Sequence, residues 1–317
     1  MRCPVRCMCR RQTPAAASRC KSRIRHKNTE NACRGAPVCA PRRHLIAKGI
    51  RFMPHITVNG VELYYELHGE GGDVLVLNNG IITNTASWLA FQVPALLPYY
   101  RVLLYDMRGQ GQSQKWAEGD PPYTWETHAD DLAALLDALE IETAHIGGIS
   151  YGGELTLVFA LRHPARCRKL IVADAVSHVG PQLRAIADSW ARIAALGDHD
   201  LFYRATWYWN FSEAFFAEKY DFLLSRLEAA KALHLPSVIQ LCRCFLSLDV
   251  TARLEEIAQP ACVIVGEADI LKPPHYAQTI AAGLPNAALH VLPGAGHASF
   301  WESAESFNRI ILDFLQN

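Results

Sequence analysis

The five residues Gly148-Ile149-Ser150-Tyr151-Gly152 constrain this chain more than any other stretch. They follow a short apolar run at 144–146 that reads as a strand, and they precede an apolar run at 155–161 that reads as a helix stopped by Pro164. A serine in so sharp a strand-to-helix turn sits in a strained backbone conformation, and small residues two places before and after it let strand and helix approach. Its hydroxyl is then presented outward at the positive end of a helix. Gly-x-Ser-x-Gly alone also occurs at ordinary turns, so the flanking strand and helix carry the reading of Ser150 as a nucleophile.

A serine hydroxyl is a poor nucleophile at neutral pH and needs a base, and the base needs a group that holds its tautomer. His297 lies in Gly294-Ala295-Gly296-His297, after the last expected strand and before the closing helix, while the other histidines read as surface or core residues. Asp269 lies in Gly266-Glu267-Ala268-Asp269, just past another strand, at the same end of the sheet. Glu267 competes with it for the third role, Asp174 is a more distant candidate, and a helix cap is the structural alternative for Asp269. Acyl transfer also needs donors for the developing oxyanion. One is the Tyr151 N–H; the other is expected from Asn78-Asn79-Gly80-Ile81, with Ile81 as donor, although Asn-Gly is also a plain turn signal. The segment 106–113, Asp-Met-Arg-Gly-Gln-Gly-Gln-Ser, reads as a structural turn held by glycines and makes no phosphate loop.

From Val74 onward, β-branched runs alternate with amphipathic helical stretches, which is the pattern of an α/β chain with a mainly parallel, helix-flanked sheet. Strands are expected at 74–77, 102–105, 144–146, 170–173, 262–265 and 289–292. A hairpin around Asn59-Gly60 is expected over 56–67. Trp125, Ala129, Leu132, Leu136 and Leu139 mark a helix on the sheet, and Phe307, Ile311, Phe314 and Leu315 mark a closing one. Between His178 and Thr251 helical patterns run on with no strand between them. This divides the body into a core at 53–177 and 253–317 and a helical cap at 178–252. Phe202, Tyr203, Trp207, Tyr208, Trp209, Phe211, Phe215, Phe216, Tyr220 and Phe222 crowd the cap. Most of them are expected to pack it onto the core, and a few to line an apolar pocket. Charged and polar residues interrupt every apolar run well short of the roughly eighteen residues of a membrane span, which excludes an integral membrane protein of the helical kind.

The formal net charge of +0 hides a split. Residues 1–52 hold 14 Lys+Arg against the single Glu30, leaving 17 Lys+Arg and 30 Asp+Glu for the rest. Six of the 10 Cys fall in this basic leader, without the paired spacing of a zinc site, and the body has too few to be a disulfide scaffold. An organelle transit segment and a basic arm for nucleic acid are the functional readings of the leader, but six thiols suit neither well. The reading adopted is a start placed too far upstream, with the mature domain opening at Met53 and 1–52 outside it. Neither nucleic acid nor metal is then expected as a partner, and the location is expected to be cytoplasmic.

These residues, in the order Ser, Asp, His and over nearly all of 54–317, resemble the α/β-hydrolase superfamily. The resemblance implies a serine esterase-type fold with a helical lid and no cofactor. A serine nucleophile argues against the dehalogenase and epoxide hydrolase branches, which use aspartate. Asn79-Gly80 departs from the family's usual His-Gly. Together with Thr85-Ala86-Ser87-Trp88 and Ser150-Tyr151-Gly152-Gly153, it is similar to the hydroxyacyl transferases of rhamnolipid and polyhydroxyalkanoate precursor synthesis. The turn at 106–113 is instead the form found in enol-lactonases and small esterases. Three functions follow as expectations. The first is a serine hydrolase of a carboxylic ester or lactone with an apolar portion, in which Ser150 is acylated, His297 moves the proton and Asp269 orients it. The second is an acyltransferase using the same triad, with an acyl thioester as a further substrate type. The third is an inactive binding protein, against which the complete set of three groups speaks.

Overall fold

The computed structural model describes residues 55–317; the leader and its proposed boundary at Met53 lie outside the described residues. The first two strands, β1 (His55–Val58) and β2 (Val61–His68), form the expected hairpin. Its turn residues Asn59 and Gly60 both take positive φ, 47° and 73°, the backbone twist that suits a two-residue connection.

Six more strands complete one sheet: β3 (Val74–Asn78), β4 (Arg101–Tyr105), β5 (Ala144–Ile149), β6 (Cys167–Ala173), β7 (Ala261–Gly266) and β8 (Ala287–Leu292). The order is β1-β2-β4-β3-β5-β6-β7-β8; β1 and β2 are antiparallel additions, and all pairs from β4 to β8 are parallel. Strands β3, β5 and β7 are buried along their whole length, as expected where helices cover both faces of a parallel sheet. Alternate side chains of β3 feed opposite layers: Val74 and Val76 join one core, Leu75 and Leu77 the other.

The helices follow from the same alternation. They begin with α1 (Gln92–Leu96), α2 (Trp125–Ala138) and α3 (Tyr151–Arg162). Thr124 caps α2 by accepting the Thr127 N–H, and the stripe Trp125, Ala129, Leu132, Leu136 is buried. After β6 come five helices with no strand between them, α4 (Pro181–Ala194), α5 (His199–Thr206), α6 (Glu213–Ser225), α7 (Leu227–Ala230) and α8 (Leu235–Phe245). The chain returns to the sheet through α9 (Pro274–Gly283), α10 (Ser299–Glu302) and α11 (Ala304–Gln316). Helices α2 and α3 pack on one face of the sheet, while α1 and α11 pack on the other through Leu96, Phe307, Ile311 and Leu315.

The α4–α8 insertion leaves and rejoins the core through paired segments. His178 and Asp249 form an antiparallel bridge, Val250 N–H donates to Ser177 O at 2.8 Å, and the Ser177 and Thr251 hydroxyls meet at 2.7 Å. Among the described residues, no helix is long and apolar enough to cross a membrane.

Candidate active site

Ser150 occupies the turn between β5 and α3 with φ 55° and ψ −121°, a conformation that non-glycine residues rarely adopt. The surroundings hold it there: its N–H donates to Ala173 O at 2.8 Å, and its carbonyl accepts from Gly153 and Glu154 N–H. The two flanking glycines are needed sterically. A Cβ on Gly148 would lie 2.4 Å from the carbonyl of Gly152, and one on Gly152 would lie 2.2 Å from Asn78 O.

Two loops at the same end of the sheet deliver the partners. The loop after β7 is tied to the loop after β8 by Glu267 N–H to Leu292 O and Ala268 N–H to Ala295 O, 2.9 and 2.8 Å. Across this join His297 Nδ1 lies 2.7 Å from Asp269 Oδ2, and His297 Nε2 lies 2.9 Å from Ser150 Oγ. All three side chains are buried. The other Asp269 oxygen accepts the N–H groups of Leu271 and Lys272, both at 2.8 Å, which fixes the carboxylate with Oδ2 toward the ring.

The competing carboxylates do other things. Glu267 is exposed and accepts the Gly294 N–H at 2.9 Å, bracing the histidine loop from outside. Asp174 accepts Gly266 N–H at 2.9 Å and the Ser299 hydroxyl at 2.5 Å, joining the end of β7 to α10. Burial, reinforced by the Asp269 charge, pushes its carboxyl well above the usual carboxylate range.

The loop after β3 runs close to Ser150: a Cβ on Gly80 would lie 3.7 Å from the serine Cβ. Asn79 holds this loop, donating to Tyr105 O and accepting from Trp88 Nε1, both at 2.9 Å. Gln110 Nε2 donates to Gly80 O at 2.8 Å, and Asp106 accepts the N–H groups of Thr85 and Gln112 at 2.9 and 2.7 Å. The turn at 106–113 is thus a brace under the loop, and burial raises the Asp106 carboxyl. Among the described residues no acceptor takes the backbone N–H of Ile81 or Tyr151, the two expected oxyanion donors.

Above Ser150 and His297 opens a cleft of about 420 Å³, within the size range of small-molecule sites. Its apolar walls include Trp190, Tyr203, Trp207, Phe211, Leu241 and Phe300. Of the ten cap aromatics only Tyr203, Trp207 and Phe211 line it; Phe202 is buried in the core, and Tyr208, Tyr220 and Phe222 are exposed. A smaller chamber of about 30 Å³ shares Ser150 and Trp190 with the cleft and is walled further by Leu183, Ala187, Cys242 and Phe245. The four cysteines of the described body are free and buried, and burial pushes each thiol up to about 12, so none competes as a nucleophile at neutral pH. Among the described residues, no group of three or more His, Cys, Asp or Glu is placed to hold a metal ion.

Two site residues were not read from the sequence. Lys272 Nζ donates to Ser150 Oγ at 3.1 Å and to Glu154 Oε1 at 2.6 Å, and both charged side chains are buried. One signal was available for Glu154: four residues after the serine, it shares the serine's face of α3 while interrupting an otherwise apolar run.

The family model described as alpha/beta hydrolase fold matches residues 73–193. The chain is 33% identical over 271 residues to RutD of Caulobacter sp. (strain K31), a protein provisionally named carbamate hydrolase, an alignment covering 82% of this chain and 97% of the relative. Among solved structures it is similar to MGS-M2, an alpha/beta hydrolase from a Medee basin deep-sea metagenome library. That match has a TM-score of 0.79 and 32% identity, covering 83% of this chain and 97% of that one. It is also similar to the enol-lactonase from Burkholderia xenovorans LB400, with a TM-score of 0.75, 28% identity and 83% and 100% coverage.

Proposed function

The chain belongs to the α/β-hydrolase superfamily and is a hydrolase of it, and from that premise we propose that it cleaves a carboxylic ester or lactone through an acyl-enzyme on Ser150, with no cofactor. The observation that carries this reading is the buried hydrogen-bonded chain Asp269–His297–Ser150, at 2.7 and 2.9 Å, on the floor of an apolar cleft.

In the proposed cycle His297 Nδ1–H donates to Asp269, which leaves Nε2 free to accept the Ser150 proton as Oγ attacks the substrate carbonyl. The Ile81 and Tyr151 N–H groups receive the oxyanion, already oriented before charge develops. His297 returns its proton to the departing alkoxide. Water then enters, gives a proton to the same nitrogen, and releases the acid. The α4–α8 insertion acts as the cap that selects the substrate, with Trp190, Tyr203, Trp207 and Phe211 offering an apolar wall to its chain or ring.

The test is intact-mass analysis of the full chain after incubation with a panel of simple esters, lactones, carbamates and 3-hydroxyacyl thioesters. A transient acyl adduct on Ser150 from an ester or lactone, followed by free acid, is the expected outcome. Adducts from thioesters alone, with an ester-linked hydroxyacid dimer as product, would make the protein an acyltransferase instead.

A further inference from the structure

Beside the nucleophile the fold buries two charges that the cycle above leaves unused. Lys272 Nζ sits between Glu154 Oε1 at 2.6 Å and Ser150 Oγ at 3.1 Å, and lies 5.0 Å from the centre of the Phe245 ring. Its side chain is 5% exposed and that of Glu154 is 0% exposed. An ion pair so far from water is seldom more stabilising than two apolar side chains of the same size, so stability alone gives weak grounds for it. Position gives stronger grounds. Both members are anchored by the catalytic framework: the Lys272 backbone N–H is bound to Asp269 Oδ1, while Glu154 lies one helical turn from Ser150 and also accepts the Val176 N–H at 3.0 Å.

We infer that Lys272 is a further catalytic residue, an ammonium that stabilises negative charge on Ser150 Oγ, and that Glu154 is the positioning residue that holds it there. The inference rests on Ser150 being the nucleophile proposed above. In acylation the Oγ–H bond breaks, the proton passes to His297 Nε2, and the Oγ–carbon bond forms; charge on Oγ is greatest as the proton leaves. In deacylation a water proton passes to His297 and the water oxygen bonds to the carbonyl carbon. The carbon–Oγ bond then breaks, and Oγ carries charge again until His297 returns the proton. Lys272 takes no part in these proton transfers. It acts on the serine oxygen, whereas Ile81 and Tyr151 act on the carbonyl oxygen. A lone cation here would oppose the positive charge that His297 gains, and the Glu154 carboxylate offsets it.

The experiment uses the full chain with Lys272→Met, Glu154→Gln and the double variant, which removes both charges together and so leaves no unpaired buried ion. Five quantities are read: the fluorophosphonate labelling rate of Ser150, the acylation rate, deacylation rate and KM for one aryl ester, and the melting temperature. In a double variant that melts within a few degrees of the parent, labelling, acylation and deacylation are expected to slow together. The size is that of losing one well-placed donor, on the order of 10²-fold, with KM changed less than about threefold. Glu154→Gln alone should lose less. A folded double variant that labels within about threefold of the parent overturns the role of Lys272 and leaves the proposed function intact. A parent that fluorophosphonate does not label at Ser150 overturns the proposed function, and the inference with it.

Discussion

Gly152 approaches Asn78 so closely that a Cβ on the glycine would stand 2.2 Å from the asparagine's carbonyl oxygen. The start of α3 is therefore wedged against the end of β3, and both candidate oxyanion donors, Tyr151 N–H and Ile81 N–H, ride on that contact. Gly152→Ala must push the two elements apart. We expect a loss of about 1–3 kcal/mol in unfolding free energy, typical of an overpacked core, together with a fall in kcat larger than the change in KM. Urea denaturation and steady-state kinetics check both; an unchanged denaturation midpoint would show that the contact relaxes without cost.

Of the three carboxylates weighed for the third role, Asp269, Glu267 and Asp174, only Asp269 touches the ring. Asp269→Asn keeps the shape but favours the wrong imidazole tautomer, and a drop in kcat on the order of 10⁴ is expected. Glu267→Gln should leave kcat within about threefold, since its carboxylate only braces Gly294 from the exposed side. Parallel kinetics on the two variants decide the assignment, and a larger loss at Glu267 would reverse it.

Trp190 contributes to the walls of both the cleft and the small chamber, as do Ile81, Ser150 and Leu271. Trp190→Ala should enlarge the space beside Ser150. The ratio of kcat/KM for a bulky acyl ester to that for acetate is expected to rise about tenfold or more, because longer groups gain room beside Ser150 while the acetate ester loses apolar contact. A ratio unchanged across a chain-length series would mean that acyl groups avoid this wall.

His128 is buried against Tyr123, Trp125 and Tyr151 with both ring nitrogens unpartnered, and burial, aided by the Arg108 charge, pulls it down to about 3. Unfolded, it titrates near ~6.5. The unfolded chain therefore takes up this proton first as pH falls, so His128 leaves stability untouched above ~6.5. Below that it lowers stability by about 1.4 kcal/mol per pH unit, down toward the folded value. His128→Leu should match the parent's slope above pH 7 and flatten its decline between pH 6.5 and 5. Urea midpoints at half-unit steps test this, and identical slopes for the two proteins would place the acid sensitivity elsewhere.

Much of this architecture was legible because it rests on local pattern. Short apolar runs became the parallel strands, and the Asn59-Gly60 signal became a turn with two positive φ values. Strand ends were less visible. The expected strand at 144–146 continues to Ile149, because Gly147 and Gly148 carry no apolar side chain yet are needed where Ile171 and α3 press against the backbone. Likewise Ala287 and Ala288 begin β8 without looking like strand residues. Spacing alone did not separate Asp269 from Glu267; the N–H groups of Leu271 and Lys272 aim the former, and that is loop geometry. Lys272 was illegible for a related reason. It meets Ser150 across 122 positions of sequence, through a fold-level contact that no periodicity announces.

The neck formed by Ser177–His178 and Asp249–Thr251 brings the two ends of the α4–α8 insertion side by side. A segment whose ends meet can be lengthened, shortened or exchanged while the distance to be spanned in the core stays the same. The groups at 2.7 and 2.9 Å are set by β5, β7 and β8 and by loops outside the insertion. The insertion does touch the histidine loop at one place, where Asn210 O accepts the Ala298 N–H at 2.7 Å and Ser212 is bound to Glu302. A lineage built on this scaffold can change its diet by trading the rest of one module, provided that this seam is kept.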